Sequence, residues 1–197
     1  PAKVALSLAL LGQSLPSFAE LPDLRTAVTE SDGRYLKELE TETFKGLFKL
    51  IDPATGWLVD YASIASGDVG IRYGTDGSKT SPTNIGLGAT GIVLARDRGY
   101  ISNDKAMEGM RSLLSTLEKA EKYKGFFFNW YLLTGKKGAT PGTTLNRFVS
   151  SVDNGNLSAA LIVAIEAFPD TDIAKRAQTI LDAQDYHFFL DKNPSGT

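Results

Sequence analysis

Apolar positions recur at helical spacing in five separate stretches of the chain. From about Asp32 to Leu50, Tyr35, Leu36, Leu39, Thr43, Phe44, Leu47, Phe48 and Ile51 fall on one side of a 3.6-residue repeat. A second helix is predicted to open at Ser81-Pro82, a cap followed by proline in the first helical position, and to end near Gly99. One of its faces carries small residues (Gly86, Gly88, Ala89, Gly91, Ala95), which suits close packing against other helices. The third, capped by Asn103 or Asp104, carries Met107, Met110, Leu113, Leu114 and Leu117 toward Lys122. The fourth is predicted to start between Asp153 and Asn156 and is apolar on nearly all sides from Leu157 to Phe168, the pattern of the most buried helix. The fifth, capped by Thr171 or Asp172, runs through Ile173, Ala177, Ile180 and Leu181.

The connections are of two lengths. Arg98–Asn103 and Pro169–Asp172 are short turns. Asp52–Lys79, Tyr123–Val152 and the stretch from Gln184 onward are long, rich in glycine, aromatics and aspartate, with strand-like runs at Gly125–Leu133 and Arg147–Val152. Short connections make successive helices antiparallel, so every long segment should lie at one end of the assembly and every short turn at the other. Long segments on a rigid scaffold are where binding and catalysis concentrate. The pattern therefore predicts one functional end before any motif is considered.

Two helix starts at that end are crowded with polar residues. The first reads Lys79-Thr80-Ser81-Pro82-Thr83-Asn84-Ile85-Gly86, the second Phe148-Val149-Ser150-Ser151-Val152-Asp153-Asn154-Gly155-Asn156-Leu157. A cap needs one Ser, Thr, Asp or Asn, and each start carries several. Just ahead of the second, Gly125-Phe126-Phe127-Phe128-Asn129-Trp130-Tyr131 offers aromatics. Such a run packs a core or, through Trp130 or Tyr131, stacks on the apolar C–H face of a sugar.

Composition narrows the chemistry. Lys and Arg number 21 against 23 Asp and Glu, so the chain lacks the basic surface expected of a nucleic-acid or anionic-membrane partner, and a neutral glycan suits it better. With no cysteine and a single histidine, His187, disulfides and multi-His or Cys metal sites are excluded. Acid–base work falls to carboxylates. Asp52, Asp60, Asp68, Asp76, Asp153, Asp185 and Asp191 lie in the long segments or at the helix starts; glycoside cleavage needs two such groups, and no spacing singles out a pair. Asp153 is the best single candidate, and a helix cap is its simpler role.

The ends of the chain carry their own expectations. Lys3, the apolar run Val4–Leu11 and Ser17-Phe18-Ala19 before Glu20 have the order of a signal peptide, truncated over residues 1–19. The run is too short for a membrane-spanning helix. A periplasmic or extracellular protein is expected, with residues 20–197 as part of a longer domain.

Four motifs stand in series: Thr80–Leu87, Ala95-Arg96-Asp97-Arg98-Gly99-Tyr100-Ile101, Gly125–Tyr131 and Phe148–Leu157. In that order and spacing they resemble the glucoamylase-like domain of cyclic β-1,2-glucan synthases and related β-1,2-glucanases, over roughly Phe44 to Asp191. The resemblance implies an all-α fold with short β ribbons in its loops, the N-terminal half of an (α/α)6 toroid. It also implies cleavage or transfer of a β-glucan by carboxylates without a cofactor. Carried over by position, Ser81, Thr83, Asn84, Asn129, Trp130, Asp153 and Asn156 should line the cleft, and Gln184–Phe189 should form a strand. Lys136–Leu145 is longer and richer in Gly and Thr than the synthases have there, and family domains continue through further helices bearing essential acids. A secreted hydrolase is the expectation, with this stretch inactive alone; a transglycosylase of the same fold and a non-catalytic glycan-binding module are the alternatives.

Overall fold

The computed structural model describes residues 29–65, 68–73 and 78–190, apart from the side chains of 65, 68, 145 and 146. The signal-peptide expectation on residues 1–19 lies outside them, as do Asp76 and Asp191. The chain divides after Glu40 into two compact units. Five α-helices are described: α1 (Glu30–Lys49), α2 (Pro82–Asp97), α3 (Asn103–Lys119), α4 (Ser151–Ala167) and α5 (Asp172–Asp182). Short strands occupy the segments between them: β1 (Ser63–Ala65), β2 (Asp68–Gly70), β3 (Lys79–Thr80), β4 (Lys122–Tyr123), β5 (Phe126–Phe127), β6 (Asn129–Leu132) and β7 (Gly142–Phe148). None of the described helices is long and apolar enough to cross a membrane.

The helix starts follow local capping chemistry. Ser81 accepts from the Asn84 N–H, Ser102 from Lys105, Ser150 from Asp153 and Thr171 from Ala174. Two of these differ from the expectation. The cap of α3 is Ser102 rather than Asn103 or Asp104, and α4 opens two residues before Asp153 because Ser150 takes the capping bond.

The small residues of α2 do what their spacing predicts. A Cβ on Gly86 would stand 3.1 Å from the Leu157 Cα and 3.2 Å from the Ala160 Cβ, so α2 and α4 meet backbone to backbone. The two helices are parallel. Thr83 near the start of α2 bonds Asp153 near the start of α4, and Arg96 near the end of α2 bonds Ala167 at the end of α4. On the other side, Arg111 and Glu118 of α3 pair in the same order with Asp172 and Arg176 of α5. An inner pair, α2 and α4, is thus backed by an outer pair, α3 and α5.

Leu113, Leu114 and Leu117 of α3, Leu157 and Leu161 of α4 and Ile173 of α5 share the core with Trp57, Phe127 and Tyr131 from the long segments. The helix buried on most sides is α2, not α4. The latter buries Asn154, Leu157, Ala160, Leu161 and Ala164 but leaves Val152, Ile162 and Val163 exposed, as α2 leaves Leu87 and Leu94.

β3 pairs antiparallel with β6, and β6 with β7, placing both loop systems at the end where α2 and α4 begin. The strand expected at Arg147–Val152 lies earlier, at Gly142–Phe148, because Ser150 and Ser151 are already committed to α4. Nor does Gln184–Phe189 form a strand: Asp185 accepts from the His187 N–H and winds Tyr186–Phe189 into a 3-10 turn. Ahead of that turn, Gly125 adopts φ 81° against the backbone of Ala183, where a side chain would overlap the Ala183 carbonyl.

Candidate functional site

Because α2 and α4 are parallel, their polar starts lie side by side. The hydroxyl of Thr83 joins them, donating to Asp153 Oδ1 at 2.7 Å and accepting from Asn156 Nδ2 at 3.1 Å. A second polar group stands on the other side of the α2 start. Asp60 Oδ1 accepts from the Ser81 N–H at 3.0 Å, from the Ser81 hydroxyl at 3.3 Å and from Asn84 Nδ2. Ser81, Thr83, Asn84, Asp153 and Asn156, separated by up to 75 positions in sequence, are therefore brought together at the starts of α2 and α4.

Each of the two carboxylates is held through one oxygen by the first turn of α2. Among the described residues neither Oδ2 has a hydrogen-bond partner, and neither group is paired with a cation. A carboxylate anchored at one oxygen can accept a sugar hydroxyl at the other, or position a water. Asp60 was one of seven aspartates that spacing could not rank. Its link to Ser81 and Asn84 spans 21 and 24 residues, so only the fold reveals it.

The remaining acids have other work. Asp52 is fully buried, and its carboxylate takes the Thr55 hydroxyl and the Tyr73 hydroxyl, each at 2.6 Å; burial, then this contact, pushes the Tyr73 phenol upward. Asp185 caps the 3-10 turn beside the exposed His187. The side chain of Asp68 is outside the described set. A cavity of about 420 Å³ is lined by Phe48, Ile51, Asp52, Ile92, Lys105 and Glu108 among others, and by none of the residues at the two helix starts. An open groove of about 230 Å³ does begin at Thr83 and Asn156 and runs between α2 and α4 past Leu87 and Val163.

β6 sorts the aromatic run by alternation. Asn129 and Tyr131 face inward, while Trp130 and Leu132 are half-buried. Tyr131 is a correction to the expected stacking role: it is 0% exposed, sits edge-on to Trp57 at 5.2 Å, and its hydroxyl donates to the Glu121 carbonyl and accepts from the Phe128 N–H. Desolvation raises its phenol well above the ordinary tyrosine range. It is a core residue. Trp130 stays half-buried, its ring meeting Phe148 at 5.5 Å and 82°. Asn129 is 3% exposed, and among the described residues its Oδ1 has no hydrogen-bond partner.

Asn154 belongs to the same start with a different purpose. Buried completely, it accepts from the Phe127 N–H at 2.8 Å and donates to the Phe127 carbonyl at 3.0 Å and the Ser150 carbonyl at 2.9 Å. It staples β5 to α4. Asparagine in a capping cluster gives no sequence sign of this.

Solved proteins share this fold. A candidate glucoamylase from Bacteroides fragilis superimposes with a TM-score of 0.65 at 20% identity, over 80% of this chain and 37% of that one. The fold is that of a glucoamylase-like domain. The endo-β-1,2-glucanase of Chitinophaga pinensis, solved with sophorotriose and glucose, matches with a TM-score of 0.63 at 20% identity, over 78% of this chain and 37% of its own. A β-1,2-glucanase from Parabacteroides distasonis matches with a TM-score of 0.56 at 20% identity, covering 78% and 22%. In sequence, 84 residues, 43% of the chain, are 38% identical to the cyclic β-(1,2)-glucan synthase NdvB of Rhizobium meliloti, of which they span 3%. No protein-family model matches the chain. The chain thus spans 37% of the first two of these solved proteins and 22% of the third, and its fold is that of part of an (α/α) toroid.

Proposed function

We propose that the protein is an exported glycoside hydrolase acting on a β-glucan, with a β-1,2-linked glucan as its substrate and Asp153 in its acid–base chemistry. The observation that carries this reading is the Thr83-bridged pair Asp153 and Asn156, with Asp60 bonded to Ser81 and Asn84 at the same start of α2, at the loop-bearing end of a fold shared with endo-β-1,2-glucanases. A glycosidic bond is cleaved by one carboxyl group that protonates the leaving oxygen and another that activates water or attacks carbon. Asp153 supplies one carboxylate at the mouth. Asn156, Asn84 and Ser81 supply hydrogen-bonding groups suited to sugar hydroxyls. No cofactor enters this chemistry. The basic, apolar and small-residue order of residues 3–19 supports export.

A transglycosylase is the second reading, favoured by the synthase that shares 38% of 84 residues. Reducing-end release by the full-length gene product from linear β-1,2-, β-1,3- and β-1,4-glucans separates the two. Hydrolysis confined to the β-1,2 polymer, lost in Asp153→Asn and weakened in Trp130→Ala, is the expected result. Transfer products without new reducing ends would replace hydrolysis with transfer. Binding without turnover of any glucan would leave a glycan-binding module.

A further inference from the structure

We propose that Phe148, braced by Trp130, is the ring on which a glucosyl unit stacks in this site, so that Phe148 sets how tightly the glucan is held; this rests on the glucan-acting reading above.

The other phenylalanines of the neighbouring run are core residues: Phe126 and Phe127 are fully buried and Phe128 nearly so. Phe148 is 47% exposed, at the end of β7 and two residues ahead of Ser150, the cap of the helix that bears Asp153 and Asn156. Its other side is occupied. The edge-to-face contact with Trp130 at 5.5 Å and 82° holds the ring, and Trp130 is itself held in β6 between β3 and β7. A ring braced in this way is a preorganised platform, which loses little rotamer freedom when a ligand lands on it.

An exposed aromatic face two residues ahead of the cap of the helix that bears Asp153 and Asn156 matches the two surfaces of a glucopyranose. Its axial C–H bonds present an apolar face to the ring, and its equatorial hydroxyls supply donors. The structure thereby divides the aromatic pair, with Phe148 as the contact surface and Trp130 as the brace.

The test uses the full-length gene product with linear β-1,2-gluco-oligosaccharides, reading KM and kcat from reducing-end release and Tm from thermal melts. Phe148→Ala should raise KM about tenfold with kcat changed less than about twofold. Phe148→Tyr should restore KM, while Phe148→Leu, which fills the space without a ring, should not. A wild-type KM in Phe148→Ala, with the parent active, would overturn the stacking inference and leave the glucan-acting reading in place. A parent that neither binds nor cleaves any glucan would remove that reading and the inference with it. If Phe148→Leu keeps the parent Tm and the parent KM, the ring has no role beyond its volume and the inference is overturned.

Discussion

The two ends of the α2–α4 pair solve the same capping problem with different amounts of chemistry. At the short-turn end, one residue serves each helix terminus. Ser102 caps α3, Thr171 caps α5, and Arg96 donates to the Ala167 carbonyl at 2.7 Å while its guanidinium lies 4.5 Å over the Phe168 ring. At the loop end, Ser81 and Ser150 suffice as caps, yet Asp60, Thr83, Asn84, Asp153 and Asn156 stand around them. What capping leaves over marks the site. The turn end should accordingly cost only stability when altered, and the loop end should divide into residues that hold the fold and residues that do not.

Asn154 is the sharpest probe of that division. Asn154→Ala would strand the buried Phe127 N–H and carbonyl, and should cost about 3 kcal/mol in urea or thermal unfolding. A loss within about 0.5 kcal/mol would place Asn154 with the surplus residues instead. Next in size is Arg96→Ala at the turn end, expected to cost about 1–2 kcal/mol through the Ala167 bond and the Phe168 contact, without changing catalytic constants once folded.

Much of this division was open to a reading of the chain, and the exceptions have physical reasons. The helices were legible because their apolar repeats are long and their connections short. Their starts shifted where cappers follow one another. Ser102, Asn103 and Asp104 are all competent, and the residue with extended backbone, Ser102 at φ −71° and ψ 160°, takes the bond. The polar tip of Tyr131 is compatible in sequence with either a core or a sugar-facing place, and its hydroxyl is satisfied inside by the Glu121 carbonyl. The alternation of Asn129, Tyr131 and Leu133 inward against Trp130 outward was a usable signal in the sequence. Asp60 and Asn154 were not legible in their roles, since their partners lie 21–27 residues away. The apolar run of α4 pointed to burial all round, and the structure shows Ile162 and Val163 open.

The smallest expected effect lies on the outer helices. Arg111 holds the Asp172 carboxyl below its ordinary range, chiefly through hydrogen bonds of 2.7 and 3.0 Å, with Arg176 adding at 3.7 Å. A carboxylate whose folded pKa is depressed stabilises the fold fully above its unfolded value, about 3.9, and loses that contribution as pH falls through the folded value. The pair is about half exposed, so solvent screening keeps its contribution small. Asp172→Asn should lower Tm by about 1–2 °C at pH 7, and the gap should close when both proteins are melted well below pH 3.9. A gap that persists there would mean that the side chain acts through packing rather than charge.

The claim that the loop end carries function beyond capping is tested most directly by Asp153→Asn in the full-length gene product, with melting and reducing-end release from β-1,2-glucan measured on the same sample. The account predicts a Tm within about 2 °C of the parent, since Ser150 is the cap, together with at least about a hundredfold loss of release. Release at the parent rate, or a loss matched by a collapse of Tm, would return Asp153 to the role of a structural residue at the start of a helix.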